Sequence, residues 1–126
     1  MSKGRILLAG GDPDIIRTLQ VYLEAHQYSV QAVSRGDEAL DICRQSPPDA
    51  VVFDWQLPDM DGNDLCQQIR TDQGAGDSFI LVLLPVDERS VRLAALEAGA
   101  DDVMPQPIDI EKLRLQIERT LGPCSS

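Results

Sequence analysis

The sequence is poor in aromatic residues, in basic residues and in paired cysteines. Aromatic side chains make up 4% of the 126 residues, and 11 Lys and Arg residues face 21 Asp and Glu residues, which gives a net charge of −10. Nucleic-acid backbones are bound through clustered Lys and Arg, so this charge argues against direct nucleic-acid binding by the chain. The hydrophobic fraction of 43% still provides a core for one domain.

Long apolar segments and cysteine motifs are missing too. The longest aliphatic run, residues 79–84, is far shorter than the roughly 20 residues of a membrane-spanning helix. The apolar stretch after the basic N-terminus ends at Gly10, too early for a signal peptide, so we expect a cytoplasmic protein without membrane contact. The three cysteines have no C-x-x-C spacing, which excludes a recognisable zinc motif; Cys43 and Cys66 are expected to be buried.

Apolar runs of strand length alternate with helical patterns along the chain. The predicted strands cover residues 6–9, 30–33, 50–53, 79–84 and 102–104. The predicted helices open at Pro13 after an Asp12 N-cap, near Gly36, near Gly62, at Asp87 and at Asp109. Apolar strands separated by helices are typical of a parallel sheet covered on both faces, so the predicted fold class is α/β.

In such a sheet, functional residues lie at the carboxyl ends of the strands. The one candidate reactive group there is Asp54, which follows an apolar run and precedes the loop WQLPDMDG. From the residues alone, two interpretations are open: the carboxylate accepts a phosphoryl group, or it binds backbone amides of its own loop. Asp12 is expected to cap the first helix, because Pro13 fits the first helical position.

Three segments occur in the order ILLAGGDPDIIRTLQVYL, DAVVFDWQLPDMDGNDLCQQIR and ALEAGADDVMPQPID. Together they resemble the receiver domains of response regulators in two-component signalling, over essentially the whole chain. The resemblance implies a flavodoxin-like (βα)5 sheet with strand order 2-1-3-4-5 and places Asp54 at the phosphoacceptor position. It also implies a receiver-like domain over residues 1–122, with residues 123–126 as a tail or the start of a linker, and a cis bond between Gln106 and Pro107.

The sequence departs from the family pattern beside the first strand. Gly10 and Gly11 stand where the family has two acidic residues that hold Mg²⁺. The remaining candidate ligands are Asp54, the backbone carbonyl of Gln56 and Asp12. Asp12 lies too far along the chain to replace either lost acid, so we expect no metal cofactor. We also expect the loss of two carboxylates to relieve like-charge crowding around Asp54.

Further departures lie after the fourth and fifth strands. Leu84 replaces a Thr or Ser whose hydroxyl binds the phosphoryl group, and Pro85 has no backbone N–H to donate to it. Gln106 replaces a Lys, and Val103 replaces an aromatic residue that takes part in switching. Phosphoryl transfer depends on electrostatic stabilisation by metal and cation, so efficient phosphorylation of Asp54 is not expected.

These departures predict an atypical receiver that acts through protein–protein contacts and is not an enzyme. Two alternatives remain. One is an ordinary receiver phosphorylated on Asp54 by a partner histidine kinase; the other is a small flavodoxin-like protein that binds an anion at the Gly10–Gly11 turn. The resemblance further implies a contact face, built from the fourth helix, fifth strand and fifth helix, for a homodimer or an output domain.

Overall fold

The computed structural model describes residues 3–71 and 77–121, and five strands alternate with five helices in them. The strands are β1 (Arg5–Ala9), β2 (Ser29–Val33), β3 (Ala50–Asp54), β4 (Phe79–Leu84) and β5 (Asp102–Pro105). The helices are α1 (Pro13–Ala25), α2 (Gly36–Gln45), α3 (Gly62–Thr71), α4 (Arg89–Ala98) and α5 (Ile110–Leu121). The predicted tail at residues 123–126 lies outside the described residues.

The strands form one parallel sheet in the order β2-β1-β3-β4-β5, which confirms the predicted flavodoxin-like topology. Its two faces carry separate apolar layers. Residues such as Phe53 and Leu84 pack against α2, α3 and α4, whereas residues such as Leu8 pack against α1 and α5. Between the charged terminal residues Arg5 and Asp54, the central strands β1, β3 and β4 are apolar because both of their faces are covered. The free thiols of Cys43 and Cys66 are buried, as predicted.

The start of α1 follows directly from its sequence. Asp12 has an extended backbone, and its Oδ1 accepts hydrogen bonds from the backbone N–H groups of Asp14 at 3.0 Å and Ile15 at 3.4 Å. Pro13 occupies the first helical turn, where a missing N–H costs no hydrogen bond. The predicted N-cap is therefore confirmed, and the Asp12 carboxylate is engaged in holding the helix end.

The start of α4 differs from the prediction. The helix begins at Arg89 rather than at Asp87, and Glu88 takes the N-cap position without a side-chain hydrogen bond. The Asp87 carboxylate forms an ion pair with the Arg92 guanidinium instead of entering the helix. The other end agrees with the sequence: Gly99 has a φ of 119°, a left-handed conformation that favours glycine. Among the described residues, no helix is long and apolar enough to cross a membrane.

Candidate functional site

The strand register brings the predicted site residues to one edge of the sheet. Asp54, the last residue of β3, pairs with Leu83 of β4, and Leu84 pairs with Pro105 of β5. The backbone N–H of Gln106 donates a hydrogen bond to the carbonyl oxygen of Leu84 at 2.9 Å. The peptide bond that follows Gln106 is cis, as predicted.

A cavity of about 160 Å³ opens between these strand ends. It is lined by Asp54, Trp55, Gln56, Leu83, Pro85 and Gln106. Leu84 does not line the cavity, because its side chain is 0% exposed and belongs to the apolar layer under α2, α3 and α4. Val103 of β5 is buried in the same layer. The cavity lining thus contains one carboxylate and no hydroxyl or cationic side chain.

The Asp54 carboxyl group is held in an unfavourable electrostatic environment. Its Oδ1 atom is buried and has no hydrogen-bond partner. Burial, and second the negative charge of Asp12, raise the pKa of Asp54 to about 6, although the backbone N–H of Gly11 acts in the opposite direction. The loss of two acidic residues has therefore not returned Asp54 to an ordinary pKa, because burial is the larger cause and Asp12 still contributes.

Gly10 and Gly11 lie beside Asp54 in different surroundings. Gly10 is buried, and its backbone N–H donates to the carbonyl oxygen of Val33 at 3.1 Å. Gly11 is exposed. The N–H groups at the start of α1 already donate to Asp12, so the turn offers an anion few free donors. This geometry gives the anion-binding alternative no support.

The donors beside Asp54 do not fit Mg²⁺. This ion takes oxygen ligands in near-octahedral geometry, with carboxylates supplying the charge. Asp54 offers one carboxylate with one oxygen buried, and Asp12 is committed to capping α1. Within residues 3–71 and 77–121, no three His, Cys, Asp or Glu side chains are grouped so that they could hold a metal ion.

A carboxylate of the loop after Asp54 is fixed by contacts that the sequence did not reveal. Asp59 accepts hydrogen bonds from the backbone N–H groups of Gly36 at 2.8 Å and Asp37 at 3.0 Å, at the start of α2. Burial tends to raise the pKa of Asp59, but these hydrogen bonds and the charge of Arg35 outweigh it and lower the pKa. The loop is thereby attached to the start of α2, more than twenty residues earlier in the chain.

A second set of contacts missed in the sequence centres on Arg70 of α3. Its guanidinium donates to the backbone carbonyls of Gly99 and Ser78, each at 2.8 Å, and to Asp101 Oδ2 at 2.6 Å. The same Asp101 oxygen accepts the backbone N–H of Ile80 at 2.9 Å. We call this group the Arg70 clamp; it joins the end of α3 to the start of β4 and to the turn before β5. An arginine in a predicted helix carries no sequence signal for such a role.

The fold of this chain is shared with known proteins. The family model of the response regulator receiver domain matches residues 6–118. This chain belongs to the response regulator receiver domain family. The receiver is 40% identical over 118 residues, or 93% of the chain, to response regulator MprA of Mycobacterium tuberculosis. It spans 50% of the length of that relative.

Solved structures agree with the family assignment. The receiver domain of sensor histidine kinase PA1611 from Pseudomonas aeruginosa PAO1, which has a magnesium ion in its active site cleft, superimposes with a TM-score of 0.87 at 25% identity. That match covers 95% of this chain and 98% of the other. The BeF3-activated N-terminal receiver domain of RstA from Klebsiella pneumoniae gives a TM-score of 0.85 at 27% identity, over 94% of this chain and 99% of that one.

Proposed function

We propose that this receiver is a signal-transduction module that works through protein–protein contacts, and that conventional Mg²⁺-dependent phosphorylation of Asp54 is impaired. The observation that carries the proposal is the lining of the strand-end cavity, which contains Asp54 but no second carboxylate and no cationic side chain. A phosphoryl group on Asp54 would need a cation to compensate its charge, and Mg²⁺ would need a further carboxylate to hold it. The module would accordingly not act as an enzyme.

The residues after β4 and β5 support this proposal. Pro85 lines the cavity but has no N–H to donate, and Leu84 directs its apolar side chain into the core. Gln106 contributes a neutral amide where a positive charge would stabilise a phosphoryl group. The cavity lining therefore offers a modified Asp54 no side-chain hydroxyl, no ammonium group and no backbone N–H at position 85.

Partners are proposed from the family and from the surface. A receiver that spans half of MprA is consistent with a C-terminal output domain, and an upstream histidine kinase or another signalling protein would be the input. We propose the face of α4, β5 and α5 as a contact surface for a homodimer or for the output domain. Each of its two helices carries exposed leucines: Leu93 and Leu96 of α4 are 45% and 40% exposed, and Leu115 of α5 is 41% exposed.

The alternative is an ordinary receiver phosphorylated on Asp54 by a histidine kinase. It is favoured by the position of Asp54 at the end of β3 and by the PA1611 receiver, a relative whose cleft coordinates magnesium. Against it stands the lining of the cavity, which offers a phosphoryl group on Asp54 no hydroxyl and no cationic side chain.

Beryllofluoride, a phosphoryl mimic, separates the two functions. Trp55 follows Asp54 and lines the same cavity, so its fluorescence should report any group that binds there. The full chain would be titrated with beryllofluoride with and without Mg²⁺. We expect no saturable change in Trp55 emission, because the complex needs a cation that these donors do not hold.

Two controls show whether the assay can respond and whether a response requires Asp54. An ordinary receiver with a tryptophan near its phosphoacceptor must respond under the same conditions. Asp54→Ala must give the same trace as the wild-type protein. A saturable, Mg²⁺-dependent response that Asp54→Ala abolishes would establish the ordinary receiver and end the proposal.

A further inference from the structure

The two edges of the sheet differ in how they are protected. β2 and β5 are the outermost strands in the order β2-β1-β3-β4-β5. β5 carries a charged residue and a proline, Asp102 and Pro105, and both discourage the addition of another strand. β2 has the sequence SVQAV, without charge or proline, and its residues pair one to one with β1 without a bulge. The β2 edge therefore has none of these protections.

The backbone of β2 has unpaired groups on its outer side. The N–H of Ser29 and the carbonyl oxygen of Val33 form hydrogen bonds on the β1 side, at 2.9 and 3.1 Å. Backbone groups alternate in direction along a strand, so those of Val30 and Ala32 point away from β1. In the part of the chain that the structure describes, no strand lies on that outer side. The N–H and C=O groups of these two residues are thus available to an added strand.

A groove of about 820 Å³ runs along this edge, between β2 and the exposed side of α1. Val21 of α1 lines the groove and is 60% exposed. Arg17 and Glu24 also line it and lie one turn before and one turn after Val21 on the same helix. The remaining charged residue of the groove, Glu38, accepts a hydrogen bond from the Ser34 hydroxyl at 3.5 Å. Beside the open strand edge, α1 therefore presents an apolar residue between a positive and a negative charge.

We propose that the β2 edge binds a second copy of this chain, with the two β2 strands antiparallel in one continuous sheet. A two-fold axis perpendicular to the sheet reverses α1 together with β2, so Arg17 of each copy faces Glu24 of the other and the two Val21 side chains meet. Each copy has a net charge of −10, so contact is favoured where the strand is neutral and the flanking charges are opposite. This surface lies at the opposite edge of the sheet from β5, and the inference does not depend on the state of Asp54.

Sedimentation equilibrium of the full chain, from about 10 to about 500 μM, tests the strand pairing. We expect a monomer at low concentration and a dimer at high concentration. Ala32→Pro should abolish the dimer and keep the fold, because proline is tolerated in an edge strand where its missing N–H faces solvent. Leu115→Lys, on the face of α4, β5 and α5, is the matched control and should retain the dimer. A wild-type chain that stays monomeric, a dimer that Ala32→Pro retains, or a dimer that Leu115→Lys abolishes would overturn the proposal.

Charge reversal on α1 tests the same dimer without altering β2, and decides the matter if Ala32→Pro fails to fold. Arg17→Glu and Glu24→Arg each place like charges opposite one another across the two-fold axis, so each should raise the dimer Kd at least about threefold. The double variant has the wild-type net charge and opposite charges face to face again, so its Kd should return close to the wild-type value. Single variants with an unchanged Kd, or a double variant that stays as weak as the single ones, would refute the antiparallel pairing.

Discussion

The receiver contains two kinds of loop carboxylate, and they differ in their partners. Asp59 and Asp101, in the loops that frame the sheet, each accept hydrogen bonds from two groups and lie near an arginine. Asp54, at the centre of the same sheet edge, has a buried oxygen with no partner. Asp59 and Asp101, which join separate elements of the fold, each bind two donors. Asp54, at the phosphoacceptor position of the family, leaves its Oδ1 without a partner.

In this receiver, Asp59 and Asp101 stabilise the fold, whereas Asp54 contributes no such contacts through its buried oxygen. The engaged pair ties α2, α3 and the turn before β5 to the sheet, which is needed whatever the module does. The central carboxylate, Asp54, has no second carboxylate and no cationic side chain in the lining of its cavity. The comparison predicts that substitutions at the engaged carboxylates and their cations destabilise the fold, while neutralising Asp54 stabilises it.

The largest effect is expected at the Arg70 clamp. Arg70→Ala removes hydrogen bonds to two backbone carbonyls and to Asp101, and leaves partly buried acceptors unpaired. The free energy of unfolding should fall by about 2 to 4 kcal/mol, measured by urea denaturation at neutral pH. Arg17→Ala, on the exposed side of α1, is the matched control and should change it by less than about 0.5 kcal/mol. Similar losses in both variants would mean that the clamp contributes nothing specific.

Asp59 should give the next largest effect. Asp59→Ala leaves the first N–H groups of α2 without an acceptor, at a cost of about 1 to 2 kcal/mol. Because the pKa of Asp59 is lowered in the folded protein, its contribution is complete above the unfolded pKa of about 4 and is lost as the pH falls through the folded value. Denaturation at pH 7 and at pH 3 checks both points, with Asp41→Ala as an exposed control. An Asp59→Ala penalty that persists unchanged at pH 3 would contradict this account.

Asp54 should show a smaller effect of opposite sign. Its pKa is raised from 3.8 to about 6, so the folded protein holds the proton more tightly and the free energy of unfolding declines as the pH rises from about 4 to about 6. Asp54→Asn removes this decline. At pH 7 the variant should be more stable by about 1 kcal/mol, after allowance for solvent screening of a partly exposed group. The advantage should vanish near pH 4, and an Asp54→Asn variant that is less stable than wild type at pH 7 would argue against a strained carboxylate.

The smallest expected effect is that of Mg²⁺ itself. A ligand raises the Tm only if it binds the folded protein, and the donors around Asp54 do not fit this ion. Millimolar MgCl₂ should therefore leave the Tm where an equal ionic strength of NaCl leaves it. A clear rise specific to Mg²⁺, absent in Asp54→Ala, would show that the central carboxylate has partners after all.

Much of the fold was predictable because its signals are local. The apolar runs gave all five strands to within a residue or so, and Pro13 with Asp12 marked the start of α1. The prediction that α4 opens at Asp87 was wrong, because Glu88 takes the N-cap position and Asp87 forms an ion pair with Arg92 instead.

The site was only partly predictable, because its decisive contacts are distant in the chain. The position of Asp54 at a strand end followed from the apolar run before it. The Asp54 carboxylate and the Ile16 side chain both lie against Gly10. Their approach depends on how α1 lies across β1, which no local pattern gives. Likewise, the cap that Asp59 provides for α2 and the three bonds of Arg70 join segments that no local pattern relates.

Offering Asp54 a phosphoryl donor decides whether it is a phosphoacceptor. The full chain would be incubated with acetyl phosphate and Mg²⁺ and examined by intact-protein mass spectrometry, beside an ordinary receiver as positive control. We expect the protein to stay unmodified while the control gains a phosphoryl group. A phosphoryl adduct on the wild-type protein that is absent from Asp54→Ala would overturn the proposed function.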